Sequence, residues 1–130
     1  MKPAKTKIEL SEGQWAIMKV VWDLGQCAAP TVQEALHDSR KWTYSTVRTL
    51  MDRMVVQGLL TTEKLRNLTL YRAAITPEQA QKGEVLYALK HAFDGALTPM
   101  VQCLLDSGDV SADELAELEK LIREKRKGAK

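Results

Sequence analysis

A mainly α fold carrying one small β-hairpin is what this sequence predicts, and three observations predict it. Capping signatures mark helix starts at Ser11, Thr76 and Ser111. Apolar residues recur at every third or fourth position through most of the chain. That rhythm stops once, after Gly58, where Thr, Leu and Tyr crowd around a polar Arg66-Asn67.

The elements follow in order. "LSEGQW" pairs Ser11 with Gln14 at capping-box spacing, with Leu10 and Trp15 as a hydrophobic staple. A helix from about Glu12 to Leu24 buries Trp15, Met18, Val21 and Trp22 and stops at Gly25. A short second helix starts near Pro30 and buries Val32, Ala35 and Leu36. The third, in "KWTYSTVRTLMDRMVVQGLL", takes Thr43 as its cap, buries Val47, Leu50, Met51 and Met54, and ends at Gly58. "LLTTEKLRNLTLYRAAI" has no helical stripe and reads as a hairpin turning near Arg66-Asn67. Helix, helix, helix, hairpin within about 65 residues is the layout of a winged helix-turn-helix.

Helical spacing then returns. "ITPEQA" caps with Thr76 and Gln79 and sets Pro77 at the first helical position. A break is expected around Thr98-Pro99, with Thr98 as cap, and Ser107-Gly108 closes that segment. "VSADEL" starts a last helix at Ala112, its cap Ser111 facing Glu114. The stripe Leu86, Leu89, Phe93, Leu97, Met100, Val101, Leu104, Leu105, and then Leu115, Leu118, Leu121 and Ile122, exceeds what such short helices bury on one another. A second copy of the chain is the simplest cover, which makes these the dimerisation residues. The expected organisation is a winged-helix domain over 8–76, a helical dimerisation region over 77–124 and a charged flexible tail over 125–130.

The net charge of +2 hides an asymmetry: residues 1–76 carry 11 Lys and Arg against 7 Asp and Glu, residues 77–130 carry 8 against 10. Between Arg40 and Arg72 the excess sharpens, with Lys41, Arg48, Arg53, Lys64 and Arg66 facing only Asp52 and Glu63. A basic part on a nearly neutral chain suits a polyanion. No apolar run approaches the roughly 18 residues of a membrane span, and polar "IELSEGQ" follows basic "MKPAKTK" where a signal peptide needs an apolar core. The expectation is a cytoplasmic protein with no membrane association. Cys27 and Cys103 stand outside any disulfide or metal-binding spacing and read as small, buried or half-buried hydrophobes. His37 and His91 join no Cys or carboxylate pattern, and no phosphate-cradling glycine loop occurs, so the expectation is no enzyme, no metal and no cofactor.

The third helix carries the functional signal. With Val47 at the centre of its buried face, Ser45, Thr49 and Asp52 point away and Thr46, Arg48 and Arg53 flank them. Thr43, Tyr44, Ser45, Thr46, Arg48 and Thr49 offer short donors and acceptors for base edges, with arginine for guanine or phosphate. Arg53 suits a backbone contact, and Lys64, Arg66 and Asn67 at the hairpin tip suit the adjacent backbone or minor groove. Tyr71 braces the hairpin. Asp52 and Val56 are poor neighbours for phosphate, so contact should fade after Arg53.

These segments, "LSEGQWAIMKVVW", then "KWTYSTVRTLMDRMVVQGLL", then "EKLRNLTLYRAAIT", resemble in order and spacing the penicillinase and methicillin-resistance repressors (the BlaI/MecI type). The most specific part runs from Trp42 to Leu50, within a similarity extending from about Ile8 to Glu124. The resemblance implies a winged-helix domain binding double-stranded operator DNA with dyad symmetry, and a C-terminal homodimer. It implies Thr46, Arg48 and Thr49 on the recognition helix, Arg53 on the backbone, Lys64 to Asn67 on the wing and Leu86 onward in the dimer helices. Sensor-regulated members of that type are induced by a cut between Asn and Phe; the matching positions here are Cys103 and Leu104, so the cleavage site is not carried over. The C-x-C cluster of copper-responsive relatives is missing too, leaving a regulatory protease or small-molecule inducer unassigned. The alternative from another class is a dimeric winged-helix adaptor that binds protein rather than DNA, whose mark would be an apolar outer face on the third helix.

Overall fold

Each helix of the N-terminal half begins or ends on hydrogen bonds that its own sequence encodes. In the computed structural model, which describes residues 8–129, α1 (Glu12–Leu24) opens on the full capping box: Ser11 Oγ accepts from the Gln14 N–H at 3.2 Å and Gln14 Oε1 from the Ser11 N–H at 3.0 Å. "MKPAKTK" and Lys130 lie outside the described residues. Gly25 closes α1, its N–H donating to the Val21 carbonyl at 2.7 Å. α2 (Ala29–Arg40) carries Pro30 in its first turn and closes on Lys41 in the left-handed region. α3 (Tyr44–Val56) opens on Thr43, whose hydroxyl accepts from the Thr46 N–H at 3.2 Å.

The hairpin forms as the sequence predicts, from β2 (Leu60–Leu65) and β3 (Leu68–Ala73). A third strand was not expected: β1 (Cys27–Ala28) pairs antiparallel with the other edge of β3, giving the order β1-β3-β2. Two residues cannot display a period-two pattern, so only the sheet reveals this strand.

The core of the first compact unit, which ends at Tyr87, gathers Ile17, Met18 and Val21 from α1, Val32 and Leu36 from α2, Val47, Met51 and Met54 from α3, and Leu60 and Tyr71 from the sheet. Four residues expected in this core, Trp15, Trp22, Ala35 and Leu50, are not buried. Trp15 and Trp22 are half-buried while Ile17 is sealed, because both indoles lie roughly 100° from the centre of the buried face at about 100° per residue. They meet edge to face instead, with ring centroids 6.1 Å apart, and the Trp22 indole donates to the Ile75 carbonyl at 2.9 Å. Ala35 is exposed and Ala29 is buried in its stead, and Leu50 is half-buried on the flank of α3.

α4 (Pro77–Phe93) opens on the second capping box, Thr76 with Gln79, and keeps its first turns in this unit through buried Ala80 and through Glu84, which accepts from the Trp15 indole at 3.3 Å. The division between the units therefore falls inside α4, between Tyr87 and Ala88, rather than before Pro77.

In the second unit, α5 (Leu97–Ser107) starts earlier than the Thr98 cap predicts. Asp94 and Gly95 both take positive φ, 52° and 83°, and the Ala96 N–H closes their turn on the Phe93 carbonyl at 2.8 Å. Pro99 is tolerated anywhere in a first turn, where its missing N–H has no partner to lose, so it bounds a start without marking it. α6 (Ala112–Gly128) opens on Ser111, whose hydroxyl accepts from the Glu114 N–H at 3.1 Å. It runs on through residues 125–128, which the sequence assigns to a flexible tail; Lys125, Arg126 and Lys127 in its last turn complement the helix dipole. No residue of α5 or α6 is buried. Cys103, expected at least half-buried, is exposed on α5, whereas Cys27 is buried and burial pushes its thiol pKa up.

Met51→Ala, in the middle of the sealed face of α3, should destabilise the chain by about 2–5 kcal/mol in urea unfolding. Ala35→Ser on the exposed side of α2 should stay within about 0.5 kcal/mol of the parent.

Candidate nucleic-acid interface

The start of α3 is set by the turn before it. Trp42 is half-buried against the core, its carbonyl accepts from Gln33 Nε2 at 3.1 Å, and the Arg40 guanidinium lies 5.2 Å from its ring centroid. Gly13 lets α1 approach: a Cβ there would come within 3.2 Å of the Trp42 ring. So α1, α2 and the turn converge on one indole, which fixes where α3 begins.

From that start the expected residues come out exposed together: Thr43, Tyr44, Ser45, Thr46 and Thr49, with Arg48 half-buried beside them. The Thr43 hydroxyl donates to Thr46 Oγ1 at 3.1 Å and lies 3.3 Å from Ser45 Oγ. The N–H groups of Tyr44 and Ser45, in the first helical turn, precede any intrahelical acceptor and add the partial positive charge of a helix N-terminus.

Arg48 is held more tightly than the sequence suggests. Its Nε donates to Asp52 Oδ2 at 3.2 Å and its Nη1 to the Tyr44 hydroxyl at 3.1 Å, one turn on either side. The Tyr44 hydrogen bond, then the nearby charges, raise an already high guanidinium pKa, so the cation is permanent. Asp52 also accepts from the Tyr71 hydroxyl, Oδ1 at 2.6 Å. Tyr71 is fully buried on β3, so it braces the hairpin as expected and in addition joins it to α3. Burial, first, and the bond to the Asp52 carboxylate hold its phenol neutral well above the ordinary range. Asp52 is the residue whose part the sequence misses: helical spacing relates it to Arg48, and nothing local relates it to Tyr71.

The hairpin tip lies beyond the core. Every residue of β2 after Leu60 is exposed, as are Arg66 and Asn67. Leu65 pairs with Leu68 across the tip, so the two-residue loop is Arg66-Asn67, and Arg66 sits at φ 61°, where a side chain costs roughly 1–2 kcal/mol. Leu65 and Leu68 are exposed too; their apolar character gives no signal of exposure until the register is known. Gln26 Nε2 donates to Glu63 Oε1 at 2.8 Å, occupying the one acidic side chain on β2, beside Lys64. Arg53 is exposed on the flank of α3 opposite Arg48.

The residues expected to dimerise divide by exposure. Leu89, Phe93 and Met100 are half-buried; Leu86, Leu97, Val101, Leu104, Leu105, Leu115, Leu118, Leu121 and Ile122 are exposed, Leu97 at 62% and Ile122 at 58%. Among the described residues no cluster of His, Cys, Asp and Glu is placed to hold a metal ion, and no helix is long and apolar enough to cross a membrane.

Comparison with known proteins matches most of the chain. A family model described as penicillinase repressor matches residues 10–124. An uncharacterised 16.5 kDa protein of Latilactobacillus sakei is 27% identical over 122 residues, which cover 94% of this chain and 84% of that protein. The methicillin resistance regulatory protein MecI of Mammaliicoccus sciuri is 22% identical over 117 residues, 90% of this chain and 95% of that one. Among solved structures, the DNA-binding domain of the repressor BlaI superposes with a TM-score of 0.51 at 23% identity, covering 58% of this chain and 92% of that one; it shares the winged-helix fold.

Tyr71→Phe keeps the buried ring and removes the hydroxyl. Because Asp52 is exposed and water replaces the lost donor, the cost should be near the low end for a bond to a charged group, about 1.5 kcal/mol in chemical unfolding. The native phenol holds its proton longer than the unfolded one, so its stabilisation is full below the ordinary value of 10.0 and falls as pH rises past it. Stability measured from pH 9 upward should decline less steeply in Tyr71→Phe; equal slopes would refute the coupling.

Proposed function

The chain belongs to the penicillinase repressor family of winged-helix, DNA-binding transcriptional repressors, and on that premise we propose that it acts as a homodimer on a dyad-symmetric operator. One observation carries the reading: the cap Thr43 and the outward side and flanks of α3 bring Ser45, Thr46, Arg48 and Thr49 together beside a cation-bearing wing. α3 enters the major groove, its hydroxyls and Arg48 near base edges. Lys64, Arg66 and Asn67 reach the neighbouring backbone or minor groove, and Arg53 reaches a phosphate. MecI and BlaI, named as a resistance regulator and a repressor with a DNA-binding domain, are consistent with this use of the fold.

The dimer follows from what α5 and α6 leave uncovered. A second copy burying Leu97, Leu104, Leu115, Leu118, Leu121 and Ile122 would relieve a stripe no single chain covers. Two copies would then present their α3 helices to successive major grooves on one side of the duplex. Repression would follow from occupying promoter DNA in the cytoplasm. The adaptor reading lacks its expected mark, a continuous apolar patch: the outer face of α3 carries Ser45, Thr49 and Asp52, and its strongly exposed aliphatic side chain, Val56, stands at the helix end.

A mobility-shift assay on the promoter upstream of the chain's own gene, with non-specific competitor, tests the function; binding that competitor removes entirely would refute it. Affinity should fall steeply and log-linearly with salt. Arg48→Ala should weaken operator binding at least tenfold, about 1.4 kcal/mol. Leu89→Glu with Phe93→Glu should give monomers by light scattering and lose tight binding; monomers that bind like the parent would refute the dimer.

A further inference from the structure

We propose that Asp52 is a positioning residue for sequence discrimination, holding the Arg48 guanidinium in one orientation on the outer face of α3. The proposal rests on the operator-binding reading above and assigns Asp52 no base contact of its own.

The geometry runs through three side chains. Asp52 Oδ1 accepts from the Tyr71 hydroxyl at 2.6 Å, and Tyr71 is fully buried on β3, so the carboxylate is anchored to the domain core. Its Oδ2 then takes Arg48 Nε at 3.2 Å, and the Tyr44 hydroxyl takes Nη1 at 3.1 Å from the other side. A guanidinium is a rigid planar fork. With Nε and one Nη1 hydrogen engaged, the donors left are the second Nη1 hydrogen and the two on Nη2, the outer end of the fork. That end matches the paired acceptors N7 and O6 of guanine. An unrestrained arginine at this position would reach any nearby phosphate equally well, which adds affinity without adding discrimination.

Charge makes the same point. Asp52 is exposed on the face that phosphates approach, so it lowers affinity for every duplex. A residue that weakens all binding equally while fixing the group that reads a base raises the ratio between right and wrong sequences. Tyr71 sits opposite Thr62 of β2, so the same carboxylate also sets the wing relative to α3.

The test measures binding of the full chain, Asp52→Ala, Asp52→Asn, Arg48→Ala and the Arg48→Ala/Asp52→Ala double variant, with thermal unfolding of each. Two duplexes are used: one the parent selects from a randomised library, and a scrambled one. Asp52→Ala should bind the scrambled duplex at least as tightly as the parent while its preference for the selected duplex falls about tenfold. Asp52→Asn, which keeps the shape and one oxygen acceptor, should fall between; it decides the matter if the alanine variant does not fold. In the Arg48→Ala background, Asp52→Ala should leave the preference where Arg48→Ala alone puts it. An unchanged preference in folded Asp52 variants, or an equal loss on both duplexes, overturns the proposal. If the parent itself prefers no duplex, the operator-binding reading falls and takes this one with it.

Discussion

The outer face of α3 is available because its inner face is sealed. Val47, Met51 and Met54 have no exposed surface, and their spacing puts all three on one side of the helix. Rolling α3 by one residue would drive Thr46 or Arg48 into that core, where an unpaired hydroxyl costs a few kcal/mol and an unpaired cation far more. Packing therefore decides which hydroxyls and which arginine look outward.

The neighbouring elements turn this orientation into a rigid surface. Trp42 gathers α1, α2 and the turn before α3, and Gly13 supplies the close approach that makes this possible. On the other side, the buried Tyr71 reaches from β3 to Asp52. A site on elements braced from both ends loses less freedom on binding than one on loops. The hairpin tip is the exception: past Leu60 it leaves the core, and its left-handed Arg66 trades backbone ease for a cation at the loop.

The two units solve burial differently. In the first, thirteen apolar residues pack into one cluster drawn from every element between α1 and β3. In the second, α5 and α6 bury none, although α6 sets Leu115, Leu118 and Ile122 within one stripe. A helix pair of this length has too little facing surface to cover two such stripes. The chain therefore holds one unit with a sealed core and one whose apolar stripes lie exposed.

The sequence by itself determined most features that depend on near neighbours. Capping boxes at Ser11 and Thr76, the stops at Gly25 and Gly58, the hairpin turn at Arg66-Asn67 and the inner and outer faces of α3 all follow from spacing and side-chain chemistry within a few residues. The start of α5 fell two residues from its Thr98 signal because a turn upstream, at Asp94-Gly95, had already redirected the chain. Tertiary structure alone decided what depends on residues far apart: β1 against β3, Ile17 in the core where Trp15 and Trp22 were expected, and Tyr71 on Asp52. Local chemistry can say that Asp52 lies one turn from Arg48, but only the packing of β3 against α3 brings a buried phenol to its other oxygen.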